Sequence, residues 1–118
     1  MKTLPIPETE QMRSMLDGSI YDLLCEYVND PPRYGFRRFL TVDRQTLVDF
    51  LLKNHEAAER YFERQEQVQA GHDVERIWEE DGEYTVSTMD HGSRGAVRRF
   101  SSLAEAVAEH VLVSYGMY

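Results

Sequence analysis

Four carboxylates, Glu79, Glu80, Asp81 and Glu83, crowd one short turn in the segment RIWEEDGEYTVSTMDHG (Arg76 to Gly92), flanked by Trp78 and Tyr84. Like charges at this spacing repel, so either solvent or a foreign cation must stabilise them. Acid–base chemistry asks for a carboxyl in a cleft, where burial or a neighbouring charge moves its protonation. Carboxyls on a hairpin tip are solvated and lack that leverage. Recognition of a basic surface asks only for clustered negative charge with an aromatic anchor beside it, and both are present. Solubility is the third use of such charge, because charged hairpins and edges resist sheet-to-sheet aggregation.

Other residue types that carry chemistry are sparse. His72-Asp73 and Asp90-His91 lie at the open ends of the two arms that flank the turn, so a tight hairpin would bring them together. They are the set from which a small metal-dependent enzyme would be built. No second, locally spaced ligand pair accompanies them, and no two histidines stand one helical turn apart, so neither a metal nor another cofactor is expected. Ser101 and Ser102 precede an apolar helical pattern and read as capping residues; no Gly-x-Ser-x-Gly elbow or phosphate-cradling glycine loop occurs. The single cysteine, Cys25, excludes an intramolecular disulfide. It sits in an apolar helical pattern with no basic neighbour, as a small buried hydrophobe would. The pattern as a whole is that of a protein without catalytic activity.

The chain has 118 residues, the size of one domain (1–118), and 42% hydrophobic composition, enough for a core without staples. Its formal charge of −8 is uneven: residues 73–90 hold seven acids against Arg76 alone. Such a field repels nucleic acid and anionic membranes and attracts basic proteins. The opening MKTLPIPETE lacks an apolar run of signal-peptide length, and no segment has the ~20 apolar residues of a membrane span, so a cytoplasmic location is expected.

The elements that must position these residues follow from periodicity. Met12, Leu16, Ile20, Leu23 and Tyr27 predict helix over 8–29, with Gly18 allowing two helices that meet near Ser19. Pro31-Pro32 ends it. The segment 33–41, RYGFRRFLT, suits an edge strand or an extended loop; its Arg33, Arg37 and Arg38 are expected to pair with nearby acids or to bind an anion. Asp43 is a good N-cap for a long helix reaching about Ala70, with Leu47, Leu51, Leu52, Ala58, Tyr61, Phe62 and Val68 on its apolar face and the supportive pair Glu56–Arg60 on the other. Asp81-Gly82 between strand-like runs 73–80 and 83–90 predicts a two-residue hairpin loop, with Glu79 opposite Tyr84, Ile77 opposite Val86 and Trp78 opposite Thr85. A third strand at 96–100 follows the loop HGSRG. Ser102 and Glu105 form a capping box for a last helix carrying Leu103, Val107, Val111 and Leu112. The expected fold is therefore α+β: a three-stranded antiparallel sheet, with room for a fourth edge strand, packed against two or three long helices.

The run Trp78-x-x-Asp81-Gly82-x-Tyr84-x-Val86, then Phe100-Ser-Ser-Leu-x-Glu-Ala-Val107, then Tyr115-Gly116, resembles small immunity proteins of bacterial polymorphic-toxin and contact-dependent growth-inhibition systems. The resemblance covers about the last 45 residues, together with small size, acidity and an α+β pattern. It implies an inhibitor that neutralises a cognate toxin, in many such systems a basic nuclease, by covering it with matching charge. The surface expected to do so is the hairpin: Glu79, Glu80, Asp81 and Glu83 against toxin lysines and arginines, Trp78 as anchor, and Asp73 and Glu75 at the rim. A generic acidic adaptor or regulatory domain with a basic protein partner fits the same charges.

Overall fold

The computed structural model describes residues 1–33, 35–66, 74–90 and 93–117. Helices α1 (Glu8–Asp17) and α2 (Ile20–Cys25) are followed by a 3₁₀ turn at Phe36–Arg38, then α3 (Arg44–Lys53) and α4 (His55–Glu66). Strands β1 (Val74–Glu80), β2 (Glu83–Asp90) and β3 (Ser93–Phe100) make an antiparallel meander in the order β1-β2-β3, and α5 (Leu103–Ser114) closes the fold. The protein is α+β: among the described residues, five α-helices and a three-stranded sheet packed against them.

Helix α5 is the central element. It lies on the sheet and carries α3 and α4 on its other side, and α4 also reaches β1. The sequence pattern predicts a buried stripe on α5; instead every residue from Ala106 to Leu112 is buried, including Glu109 and His110. Ser102 caps the helix, its Oγ accepting from the Glu105 N–H at 3.4 Å. Residues alternate across the sheet, so Ile77 and Val86 meet α5 while Trp78 and Thr85 lie on the opposite face.

Several boundaries differ from the sequence pattern for identifiable reasons. Gly18, at φ 85, ends α1 in the left-handed conformation and separates it from α2, the two-helix alternative of the sequence. The helix expected from Asp43 to Ala70 breaks at Asn54, whose backbone N–H and side-chain amide both bond the Phe50 carbonyl at 2.9 and 2.8 Å. That contact satisfies a C-terminal carbonyl of α3 and lets α4 restart at His55. Leu52, placed on the apolar face by spacing, is 61% exposed as a result. Val68 and Ala70 lie outside the described residues. Within the segment 33–41, Phe36–Arg38 forms the 3₁₀ turn, and among the described residues no fourth strand joins the sheet. Among the described residues the segment's arginines form no ion pair: Arg37 donates to the carbonyls of Val42 and Met117 and acts on Asp43 only through its field, Arg33 stacks 4.3 Å above the Tyr21 ring, and Arg38 lies 5.2 Å from the Phe39 ring. Strand β3 begins three residues before the expected start, absorbing Ser93 to Gly95 through a bulge opposite Val86–Thr88 that sets Ala96 at φ 42. Cys25, expected inside, is exposed at the end of the short α2.

Candidate partner-binding surface

The turn between β1 and β2 has Asp81 at φ 53 and Gly82 at φ 79, the two positive angles that a type I′ hairpin loop requires. It fixes the register: Glu80 opposite Glu83, Glu79 opposite Tyr84, Trp78 opposite Thr85 and Ile77 opposite Val86. The expected alignment is the observed one. Tyr84 leans onto Phe62 of α4, ring centroids 5.5 Å apart and edge-on at 84°, which ties the upper hairpin to the helical layer.

Beyond that contact the carboxylates spread. Glu79, Asp81 and Glu83 are exposed. The Glu80 side chain turns back, its Oε2 accepting from the Trp78 indole N–H at 2.8 Å, so the half-buried ring is held over the outer face of the sheet. Cross-strand from Trp78, the Thr85 hydroxyl is buried with no hydrogen-bond partner among the described residues. The outer face thus combines an oriented indole, an unsatisfied hydroxyl and a rim of carboxylates.

Glu75 does not belong to that rim. It shares the α5 side of the sheet with Ile77, and its side chain is only 9% exposed. Its carboxylate accepts from Thr88 Oγ1 and pairs with Arg98 of β3. Arg98 also lies 3.3 Å from Glu109 of α5, whose carboxylate receives Arg44 of α3. A chain of alternating charge therefore runs Glu75–Arg98–Glu109–Arg44 and joins the sheet to two helices. Removing one partner from such a buried pair would cost about 3–5 kcal/mol. Asp73, the other expected rim residue, lies outside the described residues, as do His72 and His91 of the possible ligand cluster. Among the described residues, no group of three or more His, Cys, Asp or Glu side chains could hold a metal ion.

Beside this chain, His110 of α5 is buried with both ring nitrogens engaged. A carbonyl can only accept, so Nε2–H donates to the Glu75 backbone oxygen at 3.0 Å, and Nδ1 accepts from the Tyr61 hydroxyl at 2.5 Å. Burial lowers the His110 pKa below its ordinary value, and burial raises that of Tyr61 above the usual phenol range. Burial thus favours the neutral imidazole and the neutral phenol, and the Nε2–H tautomer satisfies both bonds. Glu109 and His110 were missed as polar core residues, although their position amid Val107, Ala108 and Val111 carried the signal.

No family model, curated protein or solved structure matches the chain. Among the described residues, no helix is long and apolar enough to cross a membrane.

Proposed function

We propose that this protein binds a basic protein partner through the tip and outer face of its β1–β2 hairpin, and that the partner is a toxin domain which it neutralises. The observation that carries the binding surface is the separation of charges along one hairpin. The carboxylate at its base is neutralised internally by Arg98, whereas Glu79, Asp81 and Glu83 project into solvent with no ion-pair partner among the described residues. Trp78, held by Glu80 beside them, is the type of anchor that dominates interface energies. The toxin as partner rests on the resemblance of residues 78–116 to immunity proteins and on the net charge of −8, which suits a cationic nuclease surface. Inhibition by charge-matched covering needs no catalytic group on this chain.

The test is a pull-down from the native host with the wild-type chain and with a Glu79→Lys, Glu83→Lys variant. Both positions are exposed, so the fold should survive. Wild type should retain a basic domain; the variant should lose it, with the association rate down by about tenfold or more at low salt. A variant that retains the partner at an unchanged rate would refute the surface. A partner that is not a toxin, or a gene that does not neighbour one, would refute neutralisation while leaving the surface in place.

A further inference from the structure

A cleft of about 870 Å³ opens on the helical side of the molecule, where the end of α1 meets the α3–α4 junction and α4. Leu16 and Phe50 give it an apolar floor, and Arg13, Lys53, Arg60 and Arg64 bring four cations from three helices to its wall. Three acids, Asp17, Glu56 and Glu63, share that wall, so it matters which charges are already committed. Asp17 accepts from the Ser19 N–H at 2.9 Å and from its hydroxyl at 2.5 Å. Glu56 lies 3.8 Å from Arg60, one helical turn on. Arg64 donates to the Leu16 carbonyl in the last turn of α1. Arg13 and Lys53 remain: exposed, lining the same cleft from different helices, and without an ion-pair partner among the described residues. Four cations against three acids leave the wall with a formal charge of +1 in a chain of charge −8, since the Ser19 bonds do not cancel the charge of Asp17, and Arg13 and Lys53 stand beside the half-buried Phe50 ring.

We propose that this cleft binds a small phosphate ester, with Arg13 and Lys53 on the phosphate and the organic part resting on Phe50 and Leu16. Two cations arriving from separate helices suit a compact dianion better than a single carboxylate, which one guanidinium can saturate. The volume lies in the range of small-molecule sites. Glu63 keeps the net positive charge of the wall small, which suits a small ester and disfavours a polyanion. This site is separate from the hairpin surface, and its failure would leave that proposal untouched.

The experiment is an amide chemical-shift titration with inorganic phosphate and with phenyl phosphate, at constant ionic strength. Shifts should saturate and map to residues 13–17 and 53–60. Phenyl phosphate should bind about five- to tenfold tighter than phosphate because it adds contact with Phe50. Arg13→Glu and Lys53→Glu should each weaken phenyl phosphate about tenfold, while Glu56→Gln should leave it equal or tighter. Unsaturated or scattered shifts would overturn the proposal, as would variants that bind like wild type. So would cleft shifts that depend on protein concentration alone, which would mean that a second copy fills the cleft.

Discussion

Replacing Arg98 by methionine tests whether the buried charge chain holds the sheet to the helices. Arg98 is 29% exposed, while the carboxylates it serves, Glu75 and Glu109, are 9% and 7% exposed. Methionine preserves the apolar stem and removes the cation. Glu109 keeps Arg44 and Glu75 keeps the Thr88 hydroxyl, so neither is wholly abandoned. The expected loss is therefore at the lower end of that for breaking a buried pair, about 3 kcal/mol. For a domain of this length that corresponds to a melting temperature lower by about 12 °C. Urea denaturation of the wild type, Arg98→Met, Glu75→Leu and the double variant gives the coupling directly. The double variant should be more stable than the sum of the singles predicts by about 1.5 kcal/mol or more, because it removes both charges together. Glu75→Leu should retain a hairpin-binding partner, since the Glu75 side chain lies away from the tip. An Arg98→Met loss below about 0.5 kcal/mol, the range of an unremarkable surface change, would refute the chain as a structural element.

Three further outcomes follow from the same contacts. Stability should fall with acid through His110: its pKa is lowered in the folded state, so its contribution is complete above its ordinary value of 6.5 and declines as pH drops below that, where the unfolded chain binds the extra proton. Urea midpoints from pH 7.5 to 5 should show this slope, and His110→Gln should flatten it. Gln11 is fully buried and ties α1 to the chain around it, donating to the Ile6 carbonyl at 2.6 Å and accepting from the N–H groups of Thr41 and Val42 at 2.9 and 3.3 Å. Gln11→Leu strands those groups and should cost about 2–4 kcal/mol by chemical denaturation. Gly82→Ala meets no atom within 4 Å, so only its left-handed backbone resists; a loss of about 1–2 kcal/mol is expected from thermal melts.

Where one local rule decided the structure, the sequence was legible. Asp81-Gly82 leaves a single favourable loop, and that loop alone sets which residues face each other from Glu80–Glu83 down to Ile77–Val86. Ser102 and Asp43 likewise cap their helices by contacts three residues long. What was not legible depends on partners distant in sequence. The break at Asn54 competes with a continuous apolar spacing; the Asn54 cap on Phe50 offers a local stop, and α3 and α4 each pack on α5 in the fold. Arg37 could be placed beside the last carbonyls of the chain only once the fold brought Met117, 80 residues away, to it. Glu75 carried a usable clue, since strand alternation puts it on the side of Ile77, but the cation that makes this tolerable lies two strands over. Arg13 and Lys53 carried none: nothing local in either helix announces a shared cleft.

Alternation explains why Glu75 faces the helices, yet Glu79 has the same parity and ends in solvent. Position along the strands decides the difference. In the row of Glu79 the cross-strand neighbours are Tyr84 and Phe100, neither of them charged. One row from Glu75, Ile77 pairs with Val86 and Val86 with Arg98, which reaches diagonally to Glu75 and forward to Glu109. The sheet thus sets Arg98 in the middle row, within reach of Glu75, and aromatic rings in the row nearest the turn. Of those rings, Tyr84 ties the tip to Phe62 of α4 without neutralising it. A hairpin charged only for solubility would need no such rigid mounting, because solvated carboxylates repel neighbours equally well on a loose loop. A surface that must present fixed charges to another molecule gains from it, since preorganised groups lose less entropy on binding.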